Sequence, residues 1–257
     1  MSWTDAGRVT TVPRMALATR HKPPAAAENS PSVVRLLWRS TIGKKAVMAV
    51  TGLVMLAYLV AHMLGNLKIF FGPDDFNGYA HWLRTIGEPA LGHEWLLWVV
   101  RVVLLAAVVL HGVAAYQLSR RDIAARPVGY AHRGGARRRA SFATRTMRWG
   151  GVILALFIVW HILDLTTLTV NPNAEAGRPY ENVVASFSTW YGNTIYIVAM
   201  LALGLHLRHG FEAAARSLGL SSARTARGLR VAADTLALAL TVGFLAVPFA
   251  VMTGVVS

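Results

Sequence analysis

Five apolar runs separated by polar stretches organise this chain, at residues 44–70, 94–118, 148–170, 190–214 and 230–255. A helix needs about 20 such residues to cross a hydrocarbon core of about 30 Å. It also satisfies its own backbone hydrogen bonds, which lipid cannot do. The pattern therefore predicts an all-α membrane protein whose five transmembrane helices form one bundle within residues 36–257. Residues 1–35 mix Pro, Ala, Ser and charge, lack the apolar core of a signal peptide, and read as an N-terminal tail. The third run opens at Arg148-Trp149 and closes near Asn171-Pro172, an interfacial aromatic and a helix stop. Pro248 removes one intrahelical bond from the fifth run and predicts a kink there.

Composition agrees: 54% of the residues are hydrophobic and only 15% charged. A net charge of +14 would suggest nucleic acid in a soluble chain. Here the cations sit mainly between the apolar runs, so the expected medium is a lipid bilayer and no nucleic acid. There is no cysteine, which excludes disulfides, thiolate-ligated iron–sulfur clusters and covalently attached c-type haem. Neither a G-x-G-x-x-G nor a Walker-type loop is present, so no nucleotide site is encoded.

Lysine and arginine also set the expected orientation. Eight occur through Lys45, nine in 119–148 (with Arg137, Arg138 and Arg139 consecutive) and five in 208–230. The 68–94 loop has only Lys68 and Arg84, and the 171–189 loop only Arg178. Positive charge marks the cytoplasmic side, which predicts the N-terminus in the cytoplasm and the C-terminus outside.

Four of the five runs carry a histidine: His62, His111, His161 and His206. An ionisable group inside a membrane is costly and is a functional candidate by default. At about 1.5 Å of rise per residue, His62 lies about 9 Å inside Lys68, and His161 lies roughly 20 Å beyond Arg148. Both fall in the outer half. His111, nine residues before Arg120, and His206, ten before Arg216, fall in the inner half. Two matched layers predict two metal centres, each ligated by two helices. Imidazole suits iron, and two axial histidines suit an electron-carrying haem. His209, one turn beyond His206, is the alternative inner ligand; its place beside Arg208 near the interface ranks it second.

The strings TGLVMLAYLVAHMLGNLKIFF, VVLHGVAAYQL, FIVWHILDL and LGLHLRHGFEAAARSLG carry these histidines. Together they resemble the five-helix, di-haem cytochrome b membrane anchor of bacterial succinate dehydrogenases and fumarate reductases, over roughly residues 40–255. The resemblance implies two haem b groups, with His62 and His161 on the outer iron and His111 and His206 on the inner one. It also implies a location in the bacterial inner (cytoplasmic) membrane. The implied partners are a flavoprotein subunit with covalent FAD and an iron–sulfur subunit. In that family electrons pass through both haems to a quinone, here menaquinone. Succinate itself would be oxidised on the flavoprotein, so this chain would be a non-catalytic subunit for succinate that can hold the quinone-reducing site. The oligomeric state of the complex stays open. In some fumarate reductases of the family a glutamate precedes the fourth ligand by two positions and carries protons; here that position is Gly204.

A quinone needs an apolar slot, hydrogen-bond donors and proton access. His81, Arg84, Glu88 and Asp164 are the outer candidates, Asp164 lying three residues beyond His161. An inner site near Trp38, Ser40 and Trp149 is the rival. Haem propionates usually meet cations, for which Lys44, Lys45, Arg101, Arg148 and Arg216 are candidates. Gly52, Gly112, Gly151 and Gly204 are small enough to let a macrocycle or a helix approach. Two other functions fit the residues: a di-haem quinone cytochrome of another dehydrogenase, and a haem-free anchor or transporter whose histidines hydrogen-bond or relay protons.

Overall fold

The computed structural model describes residues 32, 35, 38–125 and 135–257, with the side chains of 135–141, 143 and 144 excluded. The N-terminal tail and the centre of the 119–148 loop, with the side chains of Arg137 to Arg139, therefore lie outside the described residues. Seven helices follow in order, and no strand occurs among the described residues. They are α1 (Thr41–Leu67), α2 (Pro73–Thr85), α3 (Trp95–Ala124), α4 (Gly135–Leu165), α5 (Pro179–Phe187), α6 (Trp190–Ser217) and α7 (Ala226–Met252). A 3₁₀ turn, Lys68–Phe71, extends α1.

Five of these segments are long and apolar enough to cross a membrane: Thr41–Phe71, Trp95–Ala124, Arg145–Leu165, Trp190–Ser217 and Ala226–Met252. Their starts are set by local chemistry. Ser40 caps α1, its hydroxyl accepting from the Gly43 amide at 2.8 Å, and Thr189 caps α6 by accepting from Gly192 at 3.1 Å. Pro248 lies inside α7, which runs on to Met252.

Two expectations need revision. The stretches read as the loops 68–94 and 171–189 contain the short helices α2 and α5. Pro73 in the first turn, followed by Asp74 and Asp75 at the positive helix end, starts α2, while Pro179 and Glu181 do the same for α5. The third span also stops at Leu165 rather than near residue 170. There the amides of Thr166 and Thr167 both close on the Ile162 carbonyl, and those of Thr169 and Val170 on Leu163. Leu168 adopts a left-handed conformation at φ 60°, so the chain reverses although its composition stays apolar.

The packing order places the site. Helix α1 packs on α3 and on α6, and α6 packs on α4, giving a four-helix array ordered α3–α1–α6–α4. Helix α7 covers the seam between α1 and α6. Helices α1 and α4, and likewise α3 and α6, are diagonal partners that do not pack along their lengths. At one end α2 and α5 pack together, over a core of Ile69, Phe76, Tyr180, Phe187 and Tyr196. Asn77 ties that cap: its side chain donates to Glu181 at 3.1 Å and accepts from the Tyr180 amide at 2.9 Å.

Candidate functional site

Each diagonal of the array is bridged by two imidazoles. His62 of α1 faces His161 of α4 with ring centroids 5.8 Å apart, and His111 of α3 faces His206 of α6 at 6.3 Å. Of the two neighbours on α6, His206 and not His209 makes the ring contact with His111.

The two pairs form levels along the bundle, and all four helices keep the same spacing. Gly52 lies under the His111 ring, where an added Cβ would sit 3.4 Å from Cε1, and Gly151 lies 3.7 Å from His206 Cε1 in the same sense. Each glycine is ten residues before the histidine of its own helix, His62 or His161. Arg101 and Tyr196 stand ten residues before His111 and His206. Ten helical residues separate the levels by about 15 Å. Between them lies a packed layer of Leu59, Leu154, Phe157, Met200 and Leu203.

At the level nearer α2 and α5, His161 is held from behind. Its Nδ1 lies 3.1 Å from the Tyr196 hydroxyl, which donates to Oδ2 of Asp164 at 2.9 Å. Ser186 on α5 donates to the same oxygen at 2.6 Å. Asp164 is 2% exposed. Since Tyr196 has one proton and spends it on the carboxylate, its oxygen accepts from the Nδ1 proton of His161. The lone pair of neutral His161 therefore sits on Nε2. His62 stacks on Tyr58 at 5.2 Å and touches Phe244 at 6.0 Å; its nitrogens make no hydrogen bond among the described residues.

At the other level the backbone plays this part. His111 Nδ1 lies 3.0 Å from the Met48 carbonyl and 3.3 Å from the Thr51 hydroxyl, whose own proton goes to Val47 at 2.7 Å. A carbonyl only accepts, so Nδ1 carries the proton and Nε2 carries the lone pair. His206 Nδ1 is buried and makes no well-formed hydrogen bond, the Met147 backbone being the acceptor that approaches the ring.

These distances suit a metal ion between the rings of each pair. Metal–imidazole bonds of about 2.0 Å put the centres of two trans rings about 6 Å apart. Among the described residues no group of three or more His, Asp or Glu side chains is placed to hold a metal. Any metal at these pairs takes two protein ligands, so its other positions must be filled by something else. A metal-binding macrocycle that brings its own nitrogen donors would meet that need, with His62 and His161, and His111 and His206, as the residues that would hold it.

The other candidates are dispersed. His81 is exposed on α2, Arg84 pairs with Glu94 at 3.1 Å, and Glu88 with His93 at 2.9 Å. None of these contacts Asp164 among the described residues. Arg101 pairs with Glu94 at 3.1 Å and lies over the Trp98 ring. Burial acts to raise the Glu94 carboxyl, but the hydrogen bonds and charges of Arg101 and Arg84 outweigh it and hold the group below its ordinary value. Lys44 is 4% exposed and makes no ion pair among the described residues; Lys45 is exposed. Arg148 approaches Asp122 at 3.9 Å, and Arg216 pairs with Glu212 at 3.3 Å. Trp149 is exposed.

Gly204 is filled from outside: a Cβ there would collide with the Thr241 hydroxyl of α7. A glutamate at this position has no room. Gly112 has no neighbour within 4 Å of its Cβ position.

Tyr196, Ser186 and the Met48 carbonyl are functional groups that the sequence reading does not single out. The ten-residue interval from Tyr196 to His206, matching those from Gly52 to His62 and Gly151 to His161, is a signal that was present. Comparison with protein-family models, curated proteins and solved structures gave no match.

Proposed function

We propose that this chain is the membrane-anchor cytochrome b subunit of a succinate:quinone oxidoreductase, passing electrons from an iron–sulfur partner to menaquinone. The observation that carries the reading is the facing of four intramembrane histidines in two pairs across the two diagonals of one array. The local strings around those histidines, which resemble the di-haem anchor family, add the choice of succinate.

In this reading His62 with His161, and His111 with His206, hold two haem b groups, which supply reversible one-electron chemistry. The chain's own groups do the rest. Met48 and Tyr196 fix one ring of each pair so that Nε2 points across the bundle. Gly52 and Gly151 keep space beside the rings, and the Leu59, Leu154, Phe157 and Leu203 layer excludes water between the levels. With two histidines held to each iron, the haems would supply one-electron transfer rather than oxygen binding. The basic segments before α1 and between α3 and α4 face the cytoplasm and meet the flavoprotein and iron–sulfur subunits there. The membrane is then the bacterial cytoplasmic membrane.

The test is the spectrum and haem content of the purified chain. Low-spin b-type bands at two haems per chain, with a co-purifying flavoprotein and iron–sulfur protein and reduction by succinate, are the expected result. A chain without haem sinks the reading. Two haems that succinate cannot reduce in the intact complex would move the chain to a different dehydrogenase.

A further inference from the structure

The four histidines are not backed alike. His62 has no hydrogen bond among the described residues, His206 meets only the neutral Met147 backbone without a well-formed bond at Nδ1, and His111 leans on a neutral carbonyl and a threonine. His161 alone is joined to a carboxylate, through Tyr196. Ser186 donates to the same Asp164 oxygen at 2.6 Å, so two hydroxyls converge on one carboxyl oxygen. Asp164 and Ser186 are each 2% exposed and Tyr196 is 6% exposed, so the chain of bonds is shielded from water. Hydrogen bonds in series polarise one another, and an acceptor behind a ligating imidazole raises its basicity.

We propose that Tyr196 and Asp164 are positioning residues that act through His161 to lower the midpoint potential of the iron held by His62 and His161. This rests on the di-haem reading above. A more basic imidazole favours the ferric over the ferrous state, so the backed iron is harder to reduce than the same iron without the relay. The relay also locks the ring. Phe157 and Phe187 pack edge-on against Tyr196 at 5.0 and 4.7 Å, which keeps the phenol in register with Nδ1. Ser186 brings in α5, so the cap at that end of the bundle reaches the ligand through three hydrogen bonds, by way of the Asp164 carboxylate and the Tyr196 phenol.

A purely structural tyrosine would keep its aromatic packing as phenylalanine and leave the potentials alone. The experiment is a redox titration, with low-spin electron paramagnetic resonance, of the intact complex as wild type, Tyr196→Phe and Asp164→Asn, each with a haem count. Both variants should retain two haems per chain. One midpoint should rise in each, with a changed resonance for the same haem, while the other haem keeps its wild-type values. Two bound haems with both midpoints unmoved in both variants overturn the relay and leave the di-haem reading intact. A wild-type complex without haem overturns both.

Discussion

The Nδ1 nitrogen of His111 lies 3.0 Å from the carbonyl oxygen of Met48, so the backbone of α1 aims a side chain of α3 toward α6. The partner ring of His206 meets the backbone of Met147 on α4, in an approach too poorly formed to count as a full hydrogen bond at Nδ1. Loss of either ring removes half of one ligand pair and leaves the other pair untouched. If the chain holds two haems as proposed, His111→Ala and His206→Ala should each lower the content from two per chain to one, with the same spectral component missing. His62→Ala and His161→Ala should remove the other component. Two haems retained in His111→Ala would break the pairing.

Gly52 tests the space beside that ring. A methyl group there would meet His111 Cε1 at 3.4 Å and Nδ1 at 3.6 Å, ordinary to slightly tight contact. Alanine also removes the entropic penalty of a helical glycine, about 0.5–1 kcal/mol. Gly52→Ala should accordingly fold and load as wild type. Gly52→Leu must push the ring off the Met48 carbonyl, and Gly151→Leu should disturb His206 in the same way. Both leucine variants should lose the haem of the His111–His206 pair and keep the other, read by haem content and difference spectrum. Full loading of both would mean that nothing needs the space the glycines leave.

The same residues show what can be read from sequence. The spans were legible because lipid imposes a length and a composition that few other environments require. The two histidine levels were legible because helical rise converts sequence distance into depth. Helix α2 was not, since PDDFNGYAHWLRT is polar on most of its surface and becomes a helix through Pro73, Asp74 and Asp75 in its first turn and by docking on α5. Nor was the end of α4: Thr166 to Val170 continue the apolar pattern, and the stop comes from backbone bonds and a left-handed Leu168. The relay to His161 joins residues from α4, α5 and α6. No periodicity within one helix encodes that meeting.

Helix contacts supply a stability prediction independent of any cofactor. A Cβ at Gly204 would collide with the Thr241 hydroxyl, and Thr241 is fixed by β-branching and by its 2.7 Å bond to the Ala237 carbonyl. Gly204→Ala should destabilise the α6–α7 contact by about 1–3 kcal/mol, the usual cost of overpacking. Thr241→Ala should restore most of that loss in the double variant, because the two residues share one contact. Thermal unfolding in detergent checks both. An additive double variant would show that the collision is relieved elsewhere.

The junction of α2 and α3 should weaken in acid through one carboxylate. Glu94 is held by Arg84 and Arg101, each at 3.1 Å, and its carboxyl lies below the ordinary value of 4.5. A depressed carboxyl stabilises the folded state fully above its unfolded value and loses that contribution as pH falls through the folded value. The three side chains are 26% to 40% exposed, so solvent screening limits the pairs to about 1 kcal/mol together. Glu181 is likewise held below its ordinary value by Arg178 and Asn77 against its own burial, so the wild-type slope alone is ambiguous. The difference between wild type and Glu94→Gln isolates the junction. Hydrogen exchange at residues 85–95 should be slower in wild type at neutral pH, and the two proteins should converge as pH drops below 4.5. A constant difference across that range would mean that the bridging carboxylate contributes nothing through its charge.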